Sequence, residues 1–187
     1  MEDALRPAGR REWVGLAVLA LPTLLVSMDM SILFLAAPSI SAALRPSGSE
    51  LLWISDIYGF LLAGALFPMG AAGDRIGRRR LLMLGALLFG VVSFLGAFAS
   101  SPAQVVAARA LLGVAGATLL PSTLAIIRNM FQMPQQRSHA IGIWTACFTL
   151  GGVLGPIVGG ILLEFFWWGS VFLLGVPLML LLLLLGA

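Results

Sequence analysis

The chain has 187 residues, 60% of them hydrophobic and only 10% charged, with a mean hydropathy of +1.04. No water-soluble domain of this length hides that much apolar surface, so a soluble fold is excluded. The formal net charge is +3, but all 11 basic residues are arginines lying between apolar runs rather than on one polar face, which argues against nucleic acid as a partner.

Residues 1–12 form a polar N-terminal segment. The apolar runs after it predict six membrane-spanning helices, at 13–38, 51–71, 81–99, 103–127, 139–163 and 167–187. Each is close to the roughly 20 residues a helix needs to cross the hydrocarbon core. The first is not a secretory signal, because it carries Asp29 and lacks a small-residue cleavage site. A spanning β-barrel would instead show alternating segments of about ten residues. The expected fold is an all-α membrane protein, a six-helix bundle with short connections. Arg6, Arg10 and Arg11 precede span one, Arg75, Arg78, Arg79 and Arg80 lie between spans two and three, and Arg128 and Arg137 lie between spans four and five. All fall on one side, which the positive-inside rule makes cytoplasmic, as it does both termini. Arg45, Glu50 and Glu164 lie toward the other side, where Trp53, Trp167 and Trp168 suit an interface.

Span one holds an acid within the membrane, Asp29, and span four a base, Arg109. An intramembrane charge costs at least about 2.5–3.5 kcal/mol, so each is a functional candidate. Counted along their helices, both lie roughly 9–12 Å below the outer surface. They are therefore expected to meet, directly or through water, as a static ion pair or as a carboxylate that titrates against a movable cation. Thr23, Ser27 and Ser31 recur every four residues and either line a wet cavity or bond back to the backbone. Met30, Phe34, Trp144 and Phe148 either contact an aromatic or cationic small molecule or face lipid. Pro22, Pro68, Pro121 and Pro177 are expected to kink their helices.

Between spans two and three runs Gly70-Ala71-Ala72-Gly73-Asp74-Arg75-Ile76-Gly77-Arg78-Arg79-Arg80. Charge topology accounts for the arginines but not for the glycines and the aspartate. Gly73 and Gly77 permit a tight turn with positive φ. Asp74 can cap a helix start or pair with an arginine, a latch-like arrangement. In span five, His139 suits an interfacial helix start, and Cys147, the single cysteine, packs as a small apolar residue. Gly151, Gly155 and Gly159 then stand four apart, with Pro156 and Gly160 beside them, on a face that lets another helix approach closely. No metal-ligand cluster, phosphate loop or Ser–His–Asp set appears, so an enzyme is not expected and no cofactor or metal is implied.

These motifs resemble, in order, those of the major facilitator superfamily. The 70–80 segment resembles its loop signature, carried here by Gly70, Gly73, Asp74, Arg75, Gly77, Arg78 and Arg79. The Gly151–Gly160 run resembles the fifth-helix signature of its proton-coupled antiporters. Asp29 through Pro38, Trp53 through Tyr58, and Trp167 through Pro177 resemble helices one, two and six of the 14-helix drug:proton antiporter branch. Arg109-Ala110-Leu111-Leu112-Gly113 resembles the fourth-helix motif, with Leu112 in place of the usual glutamine. Gly175 stands where an asparagine is common.

The resemblance implies the N-terminal half of a twelve- or fourteen-helix transporter in the bacterial inner membrane, most like exporters of methyl viologen and quaternary ammonium compounds. It implies proton coupling through Asp29 and Arg109, a 70–80 loop that contacts the other half and favours the outward-facing state, and a three-plus-three inverted repeat. The implied partners are the lipid bilayer, protons, drug-like small molecules and the remaining C-terminal helices. The chain stops within the apolar run Leu180–Leu185 followed by Gly186-Ala187, which reads as a truncation, a gene fragment or a piece cut from a longer chain. The alternatives are a facilitator transporter of another substrate class, or a six-helix membrane protein with no transport of its own.

Overall fold

A computed structural model describes residues 7–186. Among these residues every regular element is helical: α1 (Arg10–Leu44), α2 (Gly48–Ile76), α3 (Arg78–Ala97), α4 (Pro102–Met130), α5 (Pro134–Phe165), α6 (Ser170–Leu173) and α7 (Gly175–Gly186). Helices α1 to α5 are each long and apolar enough to cross a membrane. Arg6 and Ala187, used in the orientation and truncation readings, lie outside the described residues.

Local chemistry sets the helix ends. At the start of α2, Ser47 Oγ accepts from the Glu50 amide at 3.3 Å while the Glu50 carboxylate accepts from the Ser47 amide at 2.8 Å, a reciprocal capping box. Ser101 caps α4 by accepting from the Gln104 amide at 3.4 Å. Pro102 and Pro134 open α4 and α5, where a missing N–H costs nothing.

The long helices run on through Pro22, Pro38, Pro68, Pro121 and Pro156. Pro177 behaves differently, because it lies in the first turn of α7 and the predicted sixth span is interrupted just before it. Its ring would press on the carbonyl four residues back, Leu173, which is where α6 ends.

The pairing of helices positions everything else. Helix α1 lies along α5, α2 along α4, and α3 between α4 and α7. A map sending α1, α2 and α3 to α4, α5 and α7 exchanges the two largest interfaces, as a three-plus-three repeat does. Helices α1 and α4 run mostly buried, while α2 and α5 turn most of their surface outward. Glycines make both long interfaces close. A Cβ at Gly113 of α4 would sit 2.5 Å from the Tyr58 carbonyl and 3.2 Å from the Leu62 amide of α2. Gly151, Gly155 and Gly159 are buried against α1 in the same manner.

Candidate functional site

Asp29 and Arg109 meet directly. Arg109 Nη1 donates to Asp29 Oδ2 at 2.5 Å and to the Asp29 carbonyl at 3.5 Å. The pair is almost sealed, with side-chain exposures of 1% for Arg109 and 9% for Asp29. A third helix completes it: the Arg109 guanidinium carbon lies 4.3 Å from the centroid of the Tyr58 ring, within range of a cation–π attraction. Tyr58 Oη in turn donates to the Val26 carbonyl at 3.2 Å, tying α2 to α1. The approach of α2 that brings the ring there depends on Gly113, whose missing side chain leaves room for the Tyr58 backbone.

The guanidinium is not locked on every side. Its Nε has no protein acceptor among the described residues. One carboxylate holds it on one side, and a ring face supports it on another.

Beside the pair a cleft of about 600 Å³ opens between α1, α2, α4 and α5, with Arg109 and Tyr58 on its wall. That volume suits a drug-sized ligand. Met30, Phe34, Phe60 and Phe148 give it apolar and aromatic lining, while Ser27, Ser31 and Ser55 bring hydroxyls. Asp56 supplies a second acid, exposed on the same wall. Of the four residues expected to contact a small molecule, Met30, Phe34 and Phe148 line this cleft. Trp144 does not; its Nε1 donates to Thr123 Oγ1 at 3.1 Å and the ring packs between helices. Both readings of the hydroxyl row apply to Ser31, which lines the cleft and bonds back to the Met28 carbonyl at 3.1 Å. Thr23 bonds only to the Leu19 carbonyl, at 3.5 Å.

The α5 glycine face forms the back wall of the same site. A Cβ at Gly151 would strike the Leu24 carbonyl, one at Gly155 the Ser31 hydroxyl and the Met28 carbonyl, and one at Gly159 the Ile32 side chain. The stripe therefore packs on α1 over the turns that carry Asp29. Pro156 is half-buried beside it, Gly152 borders the cleft, and Gly160 makes ordinary contact with Leu35.

The arginine-rich segment is not a loop. Residues 70–76 complete α2, residues 78–80 begin α3, and Gly77 alone separates them, at φ +98°. Only glycine takes that backbone readily. Gly73 has a different role from the expected turn: it is helical, and its bare backbone lets Arg78 fold over it, with Nη1 only 2.8 Å from where a Cβ would stand. Arg78 Nη1 donates to the Gly70 carbonyl at 2.9 Å and Nη2 to Asp74 Oδ1 at 2.5 Å. Asp74 thus pairs with an arginine and does not cap a helix start. Arg79 Nε reaches the Gly186 carbonyl at 2.9 Å, while Arg75 is exposed. His139 is also exposed, its Nδ1 2.9 Å from the Gln135 carbonyl.

Two site residues escaped assignment from the sequence, Tyr58 and Asp56. Tyr58 is the single tyrosine, set in an apolar run. A phenol there needs a buried partner, and that was the available signal. Asp56 precedes it by two residues and carried a charge that topology did not require.

Paired helices of membrane-spanning length around a buried acid and base, with a drug-sized cleft beside them, match a bundle of the secondary-transporter class. The chain belongs to the Major Facilitator Superfamily, whose family model matches residues 19–187. Over 94% of its length it is 57% identical to the Multidrug efflux pump LfrA of Mycolicibacterium smegmatis, covering 35% of that protein. Over 91% it is 48% identical to the Methyl viologen resistance protein SmvA of Salmonella typhimurium, covering 34%. Over 93% it is 36% identical to the Puromycin resistance protein pur8 of Streptomyces alboniger, covering 35%. The chain spans about a third of the length of these relatives.

Proposed function

We propose that this chain is the N-terminal half of a proton-coupled multidrug exporter of the bacterial inner membrane, with its arginine-rich side and both ends in the cytoplasm. Its substrates are cationic and lipophilic compounds. The observation that carries the reading is the buried Asp29–Arg109 pair, whose arginine borders an aromatic, acid-bearing cleft. The similarity to proteins named as efflux pumps and resistance proteins supports the substrate class.

In this reading Asp29 alternates between two partners. Ionised, it holds Arg109 and fixes α1 against α4. A proton arriving from outside neutralises it and releases the guanidinium, which then rests on the Tyr58 ring. The α1–α4 contact loosens, and the half-bundles rock about the site. Return of the proton to the cytoplasm restores the pair. Asp56, with Phe34 and Phe60, gives an entering cation an acid and aromatic faces. The α5 glycine seam keeps the wall behind Asp29 dry, and the Asp74–Arg78 latch biases the outward-facing arrangement.

The test is Asp29→Asn in the complete transporter, reconstituted in vesicles with an imposed pH gradient. Asparagine keeps the size and one hydrogen-bond acceptor but cannot cycle a proton. Proton-driven drug export should vanish while the protein still inserts and still binds drug. Normal export would make the pair a static strut.

A further inference from the structure

A second cleft, of about 400 Å³, opens on the arginine-rich side between α1, α3, α4 and α7. Its walls are apolar, with Val14 and Val18 on α1, Leu82 on α3, Ile126 on α4, and Leu182 and Leu185 on α7. Arg11 and Arg79 stand at its mouth, and no acidic side chain lines it. The acids nearest in sequence are already engaged. Glu12 accepts from the Gly9 amide at 2.7 Å, and Asp74 pairs with Arg78. Arg79 is fixed to the rim through Nε, which donates to the Gly186 carbonyl at 2.9 Å. Its two Nη groups, and the Arg11 guanidinium, make no hydrogen bond within the described residues.

Position narrows the occupant. From Arg11 to Leu19 the cleft follows α1 for about 12 Å, within the roughly 15 Å of hydrocarbon in one leaflet. Two guanidiniums with donors unused within the described residues therefore stand above an apolar slot of acyl-chain depth, at the level that the arginine-rich side gives to lipid headgroups. Basic pockets between helices on this side of a bilayer take anionic headgroups. A soluble anion would leave the slot empty, and a neutral lipid would leave two guanidiniums uncompensated.

We propose that this cleft binds one anionic phospholipid, its phosphodiester held between Arg11 and Arg79 and one acyl chain laid along the seam of α1 and α7. The lipid clamps α7, the last helix of the bundle, to α1 and α3. This site is separate from the Asp29–Arg109 cleft: it rests on the orientation proposed above and not on the exporter reading.

The experiment is native mass spectrometry of the complete purified protein, titrated with phosphatidylglycerol and, separately, phosphatidylcholine. Phosphatidylglycerol should be retained at least about tenfold more tightly. The double variant Arg11→Gln/Arg79→Gln should lose on the order of thirtyfold in that retention, from the contribution of two surface cations. Val18→Trp fills the slot with both arginines intact, so it should lower retention even if the double variant folds poorly. Soluble glycerol phosphate should not displace the lipid. Equal retention of the two lipids would overturn the proposal, as would undiminished retention in the variants or displacement by glycerol phosphate. Absence of any bound lipid would overturn it too.

Discussion

Two aspartate–arginine pairs in this bundle share an N–O separation of 2.5 Å and differ in almost everything else. Asp74 and Arg78 sit one turn apart across the α2–α3 junction, with side chains 70% and 23% exposed. Asp29 and Arg109 come from helices α1 and α4, 80 residues apart in the chain, and are nearly sealed. An exposed pair is worth about 0–1 kcal/mol, since water and salt solvate both partners well when they separate. A buried pair is hard to break because neither partner has anywhere to go. One separation therefore accompanies two very different energies: a weak contact at the surface, and a buried one whose rupture leaves a charge unpaired.

The sharpest way to break the comparison is Arg109→Leu. It strands the Asp29 carboxylate in an apolar site, at a cost of about 3–5 kcal/mol. Protonation sets a ceiling of similar size, because neutralising an ordinary carboxylate at pH 7 takes about 4 kcal/mol. The variant should therefore melt well below wild type at pH 7 in detergent. The deficit should shrink by about 1.4 kcal/mol for each unit the pH falls toward 5, as the proton becomes easier to supply. Drug export should be lost at every pH. A pH-independent deficit would mean that water or another donor already solvates Asp29, and the contrast between the two pairs would collapse.

A smaller effect should follow from moving the buried pair without touching it. Gly155 packs on the Met28 carbonyl and the Ser31 hydroxyl, flanking Asp29 on α1. Any side chain there pushes α1 off α5. Gly155→Leu should cost about 1–3 kcal/mol through overpacking, leave membrane insertion intact, and abolish coupled export. Efflux measured alongside expression level separates the two outcomes. Wild-type efflux would show that α1 can yield without disturbing Asp29.

What was legible in the sequence follows the same division between strong and weak signals. The six apolar runs stood out because the bilayer demands length and hydrophobicity. The meeting of Asp29 and Arg109 followed from counting depth at 1.5 Å per residue along two helices. Helix partners were not legible. Side chains that face lipid and those that face the core are both apolar, so no amphipathic stripe distinguishes α1 against α5 from α1 against any other helix. The glycines revealed a close face but not what lay on it. Gly73 was misread because a glycine near a turn suggests positive φ, whereas here the bare backbone makes room for Arg78. Trp144 was misplaced because a tryptophan one turn before Phe148 shares its stretch of helix, yet its indole N–H was drawn to Thr123.

The exposed pair gives the smallest expected change and the most direct test of the contrast. Asp74→Ala removes one partner, but Arg78 keeps its bond to the Gly70 carbonyl and its place over Gly73. Nothing buried is left uncompensated, so stability should fall by no more than an exposed pair provides, about 0.2–1 kcal/mol, with a correspondingly small drop in melting temperature. The effect should instead appear in the balance of conformations. If the latch favours one arrangement by up to about 1 kcal/mol, its loss shifts the inward/outward ratio by at most about fivefold. Cysteine accessibility from each side of the membrane reads that ratio, and export should fall without being abolished. High salt should mimic the variant in wild type, because an exposed pair is screened, and it should leave the Asp29–Arg109 contact untouched. Loss of folding in Asp74→Ala would place the junction among the structural elements of the bundle. Unchanged labelling with unchanged transport would reduce the segment to its arginines and the topology they set.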